Sequence, residues 1–288
     1  MRKRWIAAVA LAAVFTLVGA ACAEEEGGEG TPTASAAAFT TLEEGTLTIG
    51  SDIPYPPFEF NKGGTLVGFD VELMNAVAEK LGLTPNWVNA NFNTIFQALA
   101  GNKFDVVASA VTAYAPEGSS AYTTTQERAQ IVAFAEPYYD SLQSLTVNPG
   151  ETPDLTTWDQ LKSGDRVGVQ SGTTGEFWAQ ENLEPMGVTL VGYTKAPDIF
   201  NAIESGQLDA GVVDLPVAQD IAKTKPDLEV SQQIETGEQY AFAVNQENTA
   251  LLDAINDAMD ELFADGTYAE IFQKYFPEQQ LPSYATGS

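Results

Sequence analysis

Phe96-Gln97-Ala98-Leu99-Ala100-Gly101-Asn102-Lys103-Phe104-Asp105-Val106-Val107-Ala108-Ser109 has a counterpart further along the chain, Phe200-Asn201-Ala202-Ile203-Glu204-Ser205-Gly206-Gln207-Leu208-Asp209-Ala210-Gly211-Val212-Val213-Asp214. In each copy an F-x-A-[LI] set has helical spacing, a glycine (Gly101, Gly206) ends it, and an aspartate nine residues after the phenylalanine opens an apolar run of strand length. The F-x-A-[LI] set alone is ordinary helix packing. The shared spacing through to a polar strand end, Ser109 in one copy and Asp214 in the other, implies a repeated helix–turn–strand unit. Ligands of open α/β sheets lie beyond the carboxyl ends of the strands, so each copy offers half a site.

Outward from this echo, short apolar runs alternate with amphipathic stretches, the pattern of βαβ units and a parallel sheet. Leu47-Thr48-Ile49-Gly50 reads as a strand, and Asp70 starts a helix with Met74, Val77, Ala78 and Leu81 on one face, closed by Gly82. Thr94 to Ala100 is a helix and Phe104 to Ala108 a strand. Trp158 to Leu161 suggests a short helix, Arg166 to Val169 a strand, and Phe177 to Asn182 a helix after the loop Ser171-Gly172-Thr173-Thr174-Gly175. Near the end, Leu252, Ile255, Met259, Leu262 and Phe263 form one helix face that Gly266 stops. Thr267 with Glu270 has capping-box spacing for a further helix, and 283–288 reads as a frayed end.

Composition removes several function classes. Histidine is absent from all 288 residues, which excludes Ser-His-Asp and Cys-His catalysis and histidine metal ligation; no metal or cofactor motif is present. From Cys22 onward ten basic residues face forty acidic ones, a net charge of −30 that repels nucleic acid. The surplus of acid reads as a solvated surface.

The amino terminus has an export layout: basic Arg2, Lys3 and Arg4, an apolar run Trp5 to Val18, then Gly19, Ala20 and Ala21 before the only cysteine, Cys22. Seventeen residues from Ile6 to Cys22 are short for a bilayer span. The segment resembles a bacterial lipoprotein signal covering 1–22, in which Cys22 is acylated, although Gly19 stands where that pattern prefers a branched aliphatic residue. Cleavage after Ala21-Cys22-Ala23 by an ordinary signal peptidase is the alternative. Residues 23–41, poor in large aliphatic residues, read as a disordered tether.

Five motifs then fall in order: Gly50-Ser51-Asp52-Ile53-Pro54-Tyr55-Pro56-Pro57-Phe58; Leu66-Val67-Gly68-Phe69-Asp70-Val71-Glu72-Leu73; Thr125-Gln126-Glu127-Arg128 followed by Phe134-Ala135-Glu136-Pro137-Tyr138-Tyr139; Val169-Gln170-Ser171-Gly172-Thr173-Thr174-Gly175; and Asp265-Gly266-Thr267-Tyr268 with Lys274-Tyr275-Phe276. In this order they resemble the bacterial extracellular solute-binding protein family that captures polar amino acids for ABC importers. The resemblance implies an α/β, two-lobed, periplasmic-binding-protein-like type II fold, each lobe a mostly parallel sheet flanked by helices, with a two-strand hinge. It implies 42–137 and 241–276 as lobe one, 143–235 as lobe two, 138–142 and 236–240 as hinge, and 277–288 as a tail. The echo falls once in each lobe.

A free amino acid carries a carboxylate and an ammonium, and burying both demands a partner for each. The resemblance assigns the carboxylate to Arg128, whose guanidinium fork matches two oxygens, and the ammonium to Asp214. As isolated residues, Arg128 would suit a helix-surface ion pair with Glu127 or Glu136, and Asp214 a cap before Leu215-Pro216. Thr173 and Thr174 open a helix whose N–H groups favour an anion. Ser109, Ala110 and Thr112 match strand-end positions of the family's clamp. Residues 113–122 depart from the family pattern, which leaves Thr123 as a competitor of Thr112 and suggests a lid or a transporter contact. Asp52, Tyr55, Phe92 and Gln170 are the side-chain selectivity set; an aspartate between aromatics suits a cationic side chain, and the same set suits glutamine. The expected partners are a free amino acid, the permease subunits of an ABC importer and a lipid anchor, for a monomer held at the outer face of the membrane or in the periplasm. The alternatives are a dehydratase on the same scaffold, which needs a cleft carboxylic acid of raised pKa, and a sensor ectodomain, against which stands the lack of a span or kinase after Phe276.

Overall fold

The computed structural model describes residues 39–286, so the signal segment, Cys22 and most of the tether lie outside the described residues. The chain begins in β1 (Thr46–Ser51), passes the hairpin β2 (Phe60–Lys62) and β3 (Thr65–Val67), and continues through α1 (Phe69–Lys80), β4 (Thr84–Asn89), α2 (Phe92–Ala100) and β5 (Val106–Val107). After β6 (Thr112–Tyr114), α3 (Ser120–Ala129) and β7 (Val132–Phe134) it crosses to the second lobe in β8 (Tyr139–Val147). There follow β9 (Arg166–Gln170), α4 (Thr174–Asn182), β10 (Thr189–Tyr193), α5 (Ala196–Glu204), β11 (Ala210–Asp214) and α6 (Leu215–Ala222). β12 (Glu229–Tyr240) returns to the first lobe, which β13 (Ala243–Asn245), α7 (Thr249–Asp265) and α8 (Thr267–Tyr275) complete. Among the described residues no helix is long and apolar enough to cross a membrane.

The two sheets share one strand order. The first runs β4-β1-β5-β13-β7 and the second β10-β9-β11-β8-β12, with β6 added at its edge. In each, three parallel strands meet an antiparallel neighbour, β13 or β8. The echo is therefore topological: α2–β5 and α5–β11 occupy equivalent places. Its aspartates perform one structural task. Asp105 accepts from the Thr48 and Leu42 amides (2.8 and 2.7 Å), and Asp209 accepts from the Arg166 amide (2.7 Å), so each pins the start of the neighbouring strand. The turn differs from expectation. The left-handed residue six after each phenylalanine is Asn102 (φ 55°) or Gly206 (φ 69°), whereas Gly101 has φ −83°. Asparagine is among the few side-chain-bearing residues that tolerate this conformation.

At the hinge, Tyr139 and Tyr240 from the two crossing strands stack with ring centroids 5.5 Å apart and close on Phe58, Phe69 and Phe276. These rings are buried, and burying a large apolar side chain contributes roughly 1.5–3 kcal/mol. Two local expectations are corrected. Thr267 and Glu270 form no capping box: Gly266 is the N-cap, and the Asp265 carboxylate accepts from the Thr267 amide at 2.9 Å. The end is not frayed at its start, because Ser283–Ala285 forms a 3₁₀ turn that buries Ala285 and sets Tyr284 against Phe263. Of residues 113–122, Ala113 and Tyr114 belong to β6, which pairs with Gln239 and Tyr240 of β12, and Ser120 opens α3.

Candidate functional site

Four parallel strands end at one place. Asp52 follows β1, Ser109 and Ala110 follow β5, and Gln170 and Asp214 end β9 and β11. Between them lies a narrow space lined by Asp52, Tyr55, Phe92, Ser109, Ala110, Thr112, Arg128, Gln170, Thr173, Thr174 and Asp214. Eleven of the twelve residues read from the sequence thus meet at one cavity. Thr123 does not: five residues before Arg128 on α3, it points to solvent, and Thr112 is the hydroxyl at the cavity.

Arg128 is buried and, among the described residues, makes no ion pair, so the surface pairing with Glu127 or Glu136 is ruled out. Its guanidinium donates to the Thr112 carbonyl (2.7 Å) and, across the cleft, to the Gly172 carbonyl (3.0 Å). Gly172 has φ +84°, and a Cβ there would stand 2.9 Å from Asn93, so the loop needs glycine. The rings of Phe92 and Phe96 lie 5.4 and 5.0 Å from the guanidinium carbon, each contact worth about 0.5–2 kcal/mol. Burial lowers the Arg128 pKa to about 10, with the carboxylates of Glu238 and Asp214 pulling it back up. It stays charged at neutral pH.

Asp214 does not cap α6 with its side chain. Instead it accepts from Tyr55 Oη (2.8 Å), Tyr240 Oη (2.5 Å) and Gln143 Nε2. Burial, with the charge of Glu238 close by, pushes its pKa up to about 6 against these three donors. Glu238 on β12, absent from the sequence reading, is buried and accepts from the hydroxyls of Thr112 (2.5 Å) and Thr174 (2.7 Å) and from Gln143 (3.1 Å). Each threonine has one hydroxyl proton, so committing it to Glu238 leaves oxygen lone pairs for a donor in the cavity. Thr173 caps α4 by accepting from Glu176 N (3.2 Å), while its hydroxyl donates to the Gln170 carbonyl.

Behind the cavity a second acidic pair shapes the loop after β5. Glu59 accepts from Ser109 Oγ (2.8 Å), which accepts from the Asp52 amide (2.9 Å). Asp70 accepts from the Ala110 amide (2.8 Å) and from Tyr138 Oη (2.7 Å), holding Ala110 at φ 46°, a left-handed conformation costly for alanine. Burial raises both carboxyls, Asp70 to about 7 and Glu59 well above its ordinary range, the latter also through the charge of Asp70. At the mouth, Asp52 accepts from Gln170 Nε2 (2.5 Å) and pairs with Lys195, another residue the sequence reading missed; burial still raises the Asp52 pKa.

Two lobes of one topology, joined by two strands and facing each other over their strand ends, define a type II periplasmic-binding-protein fold. The family model "Bacterial extracellular solute-binding proteins, family 3" matches residues 47–278, and the chain belongs to that family. A probable histidine-binding protein of Neisseria gonorrhoeae is 30% identical over 282 residues, 96% of this chain and 97% of that protein. An ancestral arginine-binding protein solved with arginine superposes with a TM-score of 0.71 at 34% identity, covering 81% of this chain and 98% of that one. An ancestral amino acid-binding protein described as a precursor of cyclohexadienyl dehydratase superposes with a TM-score of 0.70 at 32% identity, covering 81% and 95%.

Proposed function

We propose that the protein is the extracytoplasmic substrate-binding component of an amino-acid ABC importer, which encloses a free polar or basic L-amino acid by closing its lobes and catalyses no reaction. The observation that supports this most is a buried Arg128 that, among the described residues, makes no ion pair, in a cavity that Asp214 also lines. The ligand carboxylate bridges Arg128 and the N–H groups that open α4. The ammonium goes to Asp214 and to the lone pairs of Thr112 and Thr174. Arg128 belongs to lobe one (42–137 with 241–276) and Asp214 to lobe two (143–235), so a zwitterion favours the closed state, as ligand-driven closure requires. Acylation of Cys22 keeps the monomer at the membrane beside the permease; a diacylglycerol mass on the mature N-terminus checks this.

The test is a calorimetric titration of the purified protein with the twenty amino acids. A stoichiometric complex near 1 μM, roughly −8 kcal/mol, is expected, and the absence of binding below millimolar concentration rejects the reading. A dehydratase remains the second reading, because the cleft does hold an acid of raised pKa, Asp214. Its oxygens accept three hydrogen bonds, the arrangement of an anion, whereas a general acid must donate. Product appearing on incubation with cyclic keto or amino acids would decide for the enzyme.

A further inference from the structure

Lys195 lies outside the five motifs and breaks a local rule. It stands at the N-cap of α5, where Ser, Thr, Asp or Asn is favoured and a cation opposes the helix dipole. Its counterpart in the echo, Asn91, caps α2 by accepting from the Asn93 amide at 3.0 Å. Lys195 makes no such bond. Its ammonium leaves lobe two and reaches three acceptors of lobe one: Asp52 Oδ1, Asn89 Oδ1 (3.3 Å) and the Ala90 carbonyl (3.3 Å). Among the described residues it makes the single ion pair that joins the two lobes. The Asp52 side chain is 2% exposed and that of Lys195 26%, so the lysine enters from the solvent side and plugs onto a buried acid. With Gln170 on the other oxygen, both oxygens of Asp52 are held by lobe two.

We infer that Lys195 is the resident cation of the side-chain subsite: it competes with a cationic ligand side chain for Asp52, and so biases the cleft toward amino acids with uncharged polar side chains. The inference rests on the amino-acid-binding reading. A ligand guanidinium or ammonium must either displace Lys195 from a buried carboxylate or lie beside a like charge, and both are unfavourable in a desolvated cleft. An amide side chain meets neither cost and finds Gln170, whose side chain lines the cavity, as a hydrogen-bonding partner. Local sequence rules are most often broken where a residue serves a site, and Lys195 fits that pattern.

The experiment compares calorimetric affinities for arginine, lysine and glutamine in wild type, Lys195→Met and Lys195→Arg. In Lys195→Met the arginine-to-glutamine affinity ratio is expected to rise at least tenfold, while Lys195→Arg keeps the wild-type ratio. In an Asp52→Asn background, Lys195→Met should shift the ratio less than threefold. If Lys195→Met weakens every ligand equally, or leaves all unchanged, the lysine only latches the lobes and the inference is overturned. A wild type that binds no amino acid overturns the binding reading itself, a separable result.

Discussion

Two pairs of opposite charges face each other across the cleft, and they are wired differently. At the mouth, Asp52 and Lys195 touch, so each already has the partner it needs. Deeper in, Arg128 and Asp214 are held by neutral groups of the protein, carbonyls for the guanidinium and hydroxyls with an amide for the carboxylate. Neutral dipoles orient a buried charge without cancelling it. The inner poles therefore retain the capacity to attract a zwitterion, and the outer pair retains much less. Arginine on helix α3 and aspartate at the end of β11 act as a receptor because their first partners are dipoles; at the mouth similar charges act as a latch because their first partners are each other.

The largest expected break of this contrast is Arg128→Ala. Removing the inner cation leaves the ligand carboxylate buried and unpaired, a penalty of roughly 3–5 kcal/mol, so affinity for every amino acid should fall about a thousandfold by calorimetry. A loss under tenfold would mean that the inner pole is no more exposed to ligand than the outer one.

Asp214→Asn should weaken binding roughly 10- to 100-fold and also alter its pH profile. Wild-type affinity should be level above pH about 6 and fall below it, because the protonated carboxyl no longer attracts an ammonium. The variant should lack this fall between pH 7 and 5. Persistence of the fall would transfer the titration to a neighbouring acid.

Asp70→Asn addresses the acids behind the cavity. In the folded protein Asp70 titrates at about 7 against an ordinary 3.8, so between these values the native state holds its proton more tightly than the unfolded chain. Unfolding then releases a proton, and stability should fall as pH rises from about 4 to 7. The asparagine keeps an acceptor for Ala110 and Tyr138 while removing the carboxyl whose charge raises Glu59. Urea unfolding should show a flatter pH dependence and, at pH 8, a gain of about 1–3 kcal/mol. An unchanged slope would reject a raised Asp70.

Glu238→Gln is the smallest change. It frees the hydroxyl protons of Thr112 and Thr174 from a carboxylate, which weakens their acceptor role, so affinity should drop about 3- to 10-fold. If affinity instead rises, those hydroxyls donate to the ligand carboxylate.

The sequence made the cleft set legible through two kinds of signal, ordered motifs and the echo. Asp52, Arg128, Gln170 and the Thr173-Thr174 loop sat inside motifs, and Ser109 and Asp214 stood at equivalent ends of the repeated unit. Glu238 and Gln143 carried no such signal, since they lie on the crossing strands, where a polar residue in a strand pattern shows only that one face differs from the other. Phe96 read as helix packing, as its counterpart Phe200 in fact is, yet Phe96 lies against Arg128. Lys195 was detectable only by aligning the echo and asking why a lysine occupies the cap that Asn91 fills.

Local spacing by itself determined the α/β class, the repeated helix–turn–strand unit and which strand ends carry polar groups, because helix period, strand length and turn chemistry act over a few residues. Which charges meet, and which are left with neutral partners, was decided by the tertiary structure. Residues as distant as Asp52 and Lys195, or Tyr55 and Asp214, come together only when two lobes close over a hinge, and low-dielectric burial then sets how strongly each charge seeks a partner.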